Sequence, residues 1–124
     1  MHSLAMLQVA AILFGVAALG GLVMTGMRLG GIPRPPAWLA MIHGLLSAAG
    51  LTLLAYAAMS IGVPATAQLA LGSFVIAAVG GAAMNLLFHW KALPLPIPLM
   101  IVHALLAVIG LALLVTCIYE QSHA

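Results

Sequence analysis

The chain has 124 residues, of which 66% are hydrophobic and 3% charged, with a mean hydropathy of +1.33 and a formal net charge of +2. A water-facing surface needs roughly a quarter charged residues, so this composition excludes an ordinary soluble domain and makes lipid the expected solvent. Three cations, Arg28, Arg34 and Lys91, against the single acid Glu120 make no basic patch, which excludes a nucleic-acid partner. One cysteine, Cys117, excludes an intrachain disulfide and a cysteine-built cluster.

Four apolar runs follow one another, about 4–27, 38–60, 65–90 and 98–119. Each reaches the roughly 20 residues needed to cross a hydrocarbon layer, so each is read as a transmembrane helix. The first lacks a positive n-region and is too long for a signal peptide, which makes it a mature span. Gly30, Gly31 and Pro33 to Pro36 break the chain after it, Gly62 and Pro64 after the second run, and Pro94, Pro96 and Pro98 after the third. The fourth ends in a short polar tail from Glu120 to Ala124. The expected fold is an all-α membrane four-helix bundle in one domain spanning 1–124.

All three cations fall in the first and third loops or at their edges. The positive-inside bias then places loops 28–37 and 91–97 in the cytoplasm and both termini outside, with Trp38 and Trp90 at the same interface. High alanine, glycine and leucine content fits a bacterial inner membrane.

An offset of 60 aligns one half of the chain with the other without a gap, giving repeats of about 4–60 and 64–120. Identical pairs include Gln8/Gln68, Phe14/Phe74, Ala17/Ala77, Gly21/Gly81, Met24/Met84, His43/His103 and Gly50/Gly110. Within each helix the matches step by three and four residues, which is one helical face, the face that packs inside a bundle. Two tandem hairpins in the same orientation are related by a pseudo-twofold axis along the membrane normal. His43 and His103 are therefore expected on opposite sides of that axis at one depth.

An ionisable side chain inside a membrane marks a functional site by default. Three readings compete with it: each histidine bonding a neighbouring helix, a pair left over from duplication, or His43 bonding Ser47 one turn on. The leading functional reading is axial ligation of one haem b by His43 and His103. Gly21, Gly81, Gly50 and Gly110 would open a slot for the macrocycle, and Arg28, Arg34 and Lys91 would meet its propionates. Copper is an alternative, with Met24 and Met84 joining the two imidazoles as soft ligands. A third reading is an ion or proton carrier using the histidines, near the polar pair Thr25 and Asn85, although no acidic residue lies within a span.

With facing His43 and His103 on helices of an apolar bundle and small residues nearby, the chain resembles small four-helix b-type membrane cytochromes. These include the cytochrome b561-like group and the membrane anchors of respiratory dehydrogenases. The resemblance implies haem-based electron carriage, a quinone or a redox protein as partner, and a bundle fold. The chain departs from that group in having one convincing histidine pair, so one haem at most is implied. It also looks like small four-span bacterial membrane proteins, which implies nothing about activity. One acid in the whole chain leaves no acid–base or hydrolytic machinery, so a redox role would be that of a carrier or subunit. The alternative from another class is a non-catalytic accessory or scaffold subunit, self-associating or bound to a larger membrane protein.

Overall fold

The computed structural model describes residues 2–124. Four helices account for nearly all of it: α1 (Ser3–Leu29), α2 (Ala37–Tyr56), α3 (Ala65–Met84) and α4 (Ile97–Ser122). α2 runs on through a π turn over Ala57–Ile61, and α3 through another over Asn85–His89. All four are long and apolar enough to cross a membrane.

Proline starts three of them. Pro36, Pro64 and Pro96 stand at the N-caps of α2, α3 and α4, where a fixed φ suits the first turn and the missing N–H is no loss. Their ends use positive φ. Gly31 (φ 101°) follows α1 and Gly62 (φ 91°) closes the α2 π turn, whereas after α3 the non-glycine Ala92 takes φ 57°.

Within each hairpin, α1 packs on α2 and α3 on α4, and the hairpins join through α1–α4 and α2–α3. α1 and α3 thus form one diagonal of the bundle, and α2 and α4 the other. Buried positions repeat at the offset of 60: Leu7 with Ala67, Ala10 with Ala70, Phe14 with Phe74, Leu54 with Leu114, and Ala57 with Cys117. The main apolar cluster is built from all of these except Ala57, in the half of the bundle nearest the termini. Buried Cys117 is a packing residue within it. A smaller cluster of Met84, Leu95 and Met100, with Phe88 and Leu99 against it, lies at the loop end.

The two long loops are tied together. Leu95 N–H donates to the Pro33 carbonyl (3.1 Å), Arg28 Nε–H to the Leu95 carbonyl (2.9 Å), and His89 Nε2–H to the Pro35 carbonyl (3.0 Å). His89 therefore bridges the hairpins, and the π turn that carries it has no counterpart in α1. Trp38 and Trp90 are exposed at this end.

Candidate functional site

Residues seven apart lie two turns apart on one helical face, about 10 Å along the axis. This spacing divides the bundle into layers. In one, Phe14 of α1 and Phe74 of α3 stack face to face, centroids 3.7 Å apart and planes 5° apart. Each ring is backed by a buried glycine of the neighbouring helix. A Cβ on Gly50 would stand 3.2 Å from the Phe14 ring, and one on Gly110 3.1 Å from the Phe74 ring.

Seven residues toward the loops on every helix, the exchange of large for small is reversed. Glycine is now on α1 and α3, and the ring on α2 and α4. A Cβ on Gly21 would meet His43 Cε1 at 3.1 Å, and one on Gly81 would meet His103 Cε1 at 3.0 Å. Both are closer than van der Waals contact, so each imidazole lies on its neighbour's backbone. Gly20 and Gly80 add to the same seats, lying near the Cβ of each histidine.

The two imidazoles are held alike. His43 Nδ1 is 2.7 Å from the Ala17 carbonyl, and His103 Nδ1 is 2.7 Å from the Ala77 carbonyl, each on the partner helix of its own hairpin. A carbonyl only accepts, so Nδ1 carries the proton and the neutral ring keeps its lone pair on Nε2. The Ser47 hydroxyl is not the partner. Neither Nε2 has a hydrogen-bond partner among the described residues, and neither is enclosed. The ring centroids are 6.1 Å apart, with planes inclined at 68°. Two metal–imidazole bonds of about 2 Å on opposite sides of one ion set ring centroids roughly 6 Å apart. The centroid distance matches that length, and the carbonyl contact at Nδ1 is how a ligating histidine is oriented from behind.

The other expected site residues are distributed as follows. Gly21 and Gly81 belong to the histidine layer, but as seats for the imidazoles and not as the walls of an open slot. Gly50 and Gly110 lie two turns away and serve the phenyl rings. The inward side chains on α1 and α3 between those layers are the small Ala17 and Ala77, both buried. Arg28, one layer beyond the histidines toward the loops, commits its Nε to Leu95, and its terminal N–H groups have no hydrogen-bond partner among the described residues. Arg34 and Lys91 are exposed at the loop end. Arg34 lines an open recess of about 300 Å³ with Pro33, Pro35, Ala37 and His89. Met84 is buried with Leu95 and Met100, while its repeat mate Met24 is half-buried outside that cluster. Gln68 caps the preceding loop through Val63, and Gln8 is exposed. Among the described residues no three histidine, cysteine or carboxylate side chains converge, so any metal would rest on the pair.

What the sequence did not yield is the pair of carbonyl anchors. Their one trace is that Ala17 and Ala77 are themselves matched in the repeat. No protein-family model matches the chain, and neither do curated proteins or solved structures.

Proposed function

We propose that this is an integral membrane electron carrier that holds one haem b between His43 and His103. The observation that carries the reading is the symmetric imidazole pair: rings 6.1 Å apart, Nδ1 anchored and Nε2 free. In this role Gly21 and Gly81 admit the rings, and the Ala17 and Ala77 carbonyls fix tautomer and tilt. The free guanidinium N–H groups of Arg28 are available to a carboxylate. When bound, the haem supplies one-electron transfer; donor and acceptor, a quinone or a redox protein, lie outside this chain.

Charge favours haem over a bare copper ion. None of the four helices carries an acid before Glu120, which stands at the far end of α4. A metal cation between two neutral imidazoles would keep its charge uncompensated in a low-dielectric layer, at a cost of several kcal/mol. A porphyrin brings its own negative charge. The proposed setting is a bacterial inner membrane, with the 28–37 and 91–97 loops cytoplasmic and both termini outside.

The test is an absorption spectrum of protein purified in detergent from haem-supplemented cells. A Soret band with sharp reduced α and β bands is expected, lost in both His43→Ala and His103→Ala. A colourless preparation overturns the reading. One observation favours a second reading, a non-catalytic scaffold: each Nδ1–carbonyl bond ties α1 to α2 or α3 to α4 without any ligand. In that case the protein is colourless and His43→Ala loosens the hairpin.

A further inference from the structure

The two long loops at one end of the bundle differ in what they present. Pro33, Arg34, Pro35 and Ala37, with His89 from the π turn that ends α3, line an open recess of about 300 Å³. The offset of 60 supplies a counterpart for comparison. There Pro94 stands for Arg34 and Leu29 for His89, while Leu93, Leu95 and Ile97 take the other three places. The recess thus holds a cation and an imidazole where its counterpart is wholly apolar, so neither follows from the repeat.

The acceptors on its walls are already engaged. The Pro33 carbonyl accepts from Leu95 N–H, and the Pro35 carbonyl from His89 Nε2–H. The exposed Arg34 guanidinium, by contrast, has no hydrogen-bond partner among the described residues. His89 keeps Nδ1 unbonded, and that nitrogen becomes a second donor when it takes up a proton. No carboxylate offsets these groups, since Glu120, the one acid, stands at the far end of α4. Such a recess favours an anion, and a guanidinium matches the oxygens of a phosphate. Its depth is marked as well. Exposed Trp38 directly follows Ala37, and exposed Trp90 directly follows His89. Indoles at the ends of spans lie at the headgroup level of a bilayer.

From this we infer that the recess binds the headgroup phosphate of an anionic phospholipid, with the Arg34 guanidinium as its principal partner. A free phosphate ion would meet the same groups. The lipid is favoured because the two indoles put the recess where headgroups lie, and because basic pockets at the ends of spans take acidic lipid in this way. Ala37 precedes His43 by six residues on α2, so about 9 Å of helix separates the recess from the imidazole pair. The lipid site is therefore distinct from the histidine layer. It does not depend on which group the imidazoles hold.

Tryptophan quenching tests this, because Trp38 and Trp90 are the chain's two tryptophans and both flank the recess. The full chain is reconstituted in phosphatidylcholine with increasing fractions of acyl-brominated phosphatidylglycerol or acyl-brominated phosphatidylcholine. Each series is normalised to its unbrominated lipid. Phosphatidylglycerol is expected to bind beside the indoles about fivefold more tightly, the preference that one interfacial cation supplies. Arg34→Gln should bring the two lipids level; the side chain is exposed and unpartnered, so its replacement breaks no contact that folding needs. Lys91→Gln removes an exposed cation of the same face that does not line the recess, and should leave most of the preference. Exchanging chloride for millimolar inorganic phosphate at constant ionic strength should change nothing. Equal binding of the two lipids by the parent protein overturns the proposal, as does a preference that survives Arg34→Gln. An equal loss in Lys91→Gln also overturns it, since the preference then belongs to the whole face. Loss of the preference in inorganic phosphate makes free phosphate the ligand and overturns the headgroup assignment.

Discussion

The phenylalanine layer and the histidine layer are the same construction with its parts exchanged. In the first, rings from α1 and α3 lie on glycines of α2 and α4, and meet at 3.7 Å. In the second, rings from α2 and α4 lie on glycines of α1 and α3, and stop at 6.1 Å. Both obey the demand for close helix approach in lipid, where packing and hydrogen bonding replace the hydrophobic drive between helices. Phenyl rings have nothing left to satisfy and close the gap by dispersion. Imidazoles have a second nitrogen, and their rings stop 6.1 Å apart with planes inclined at 68°. The same two ring–glycine pairs thus build both an apolar layer and a layer with free ring nitrogens.

The comparison breaks most visibly at the phenyl rings. Phe14→Ala with Phe74→Ala empties the dry layer. Because lipid is the reference state, the cavity share of the loss dominates, about 2 kcal/mol or more per ring. Unfolding titration in mixed micelles should show a loss of that order for each single variant, whereas His43→Ala changes ligand binding first. A smaller change sharpens the contrast. A methyl group at Gly50 or Gly110 meets a flat ring with no room to retreat, and overpacking of this kind costs roughly 1–3 kcal/mol. The same methyl at Gly21 or Gly81 meets a single imidazole carbon closely, at 3.1 or 3.0 Å, where Gly50 and Gly110 each meet three ring carbons. Gly21→Ala should therefore change stability less than Gly50→Ala, while displacing the Soret maximum and weakening haem retention. If the two variants lose equal stability and the spectrum stays put, the layers are not different in kind. The smallest effect lies outside both layers. Ala92 holds φ 57°, a conformation that costs an L-residue about 1 kcal/mol or more. Ala92→Gly should raise the unfolding free energy by up to about 1 kcal/mol without moving any spectral band.

The helices and their inward faces were legible because apolar length and the three-and-four stepping of repeat-matched residues are one-dimensional signals. His43 and His103 at one depth followed from the same stepping. Gly50 and Gly110, expected to open a cofactor slot, face the Phe14 and Phe74 rings. Spacing puts a glycine on a face, but which ring fills the space belongs to a different helix, and Phe14 and Phe74 lie seven residues from Gly21 and Gly81. The tie from Arg28 to Leu95 and that from His89 to Pro35 were also beyond reading, since both join hairpins through backbone carbonyls that carry no sequence identity. The π turns at Ala57–Ile61 and Asn85–His89 interrupt the repeat where its residues no longer match.

Each histidine is anchored within its own hairpin, His43 to α1 and His103 to α3, so each hairpin holds half of a complete site before the two halves meet. A group bound by both rings adds nothing to the folding of either hairpin and acts wholly on their docking. By mass action it stabilises the joined form by about 2.7 kcal/mol when present at a hundred times its dissociation constant. Starved of that group, the protein should loosen first at the seam between hairpins, which the Phe14–Phe74 stack and the loop ties still hold.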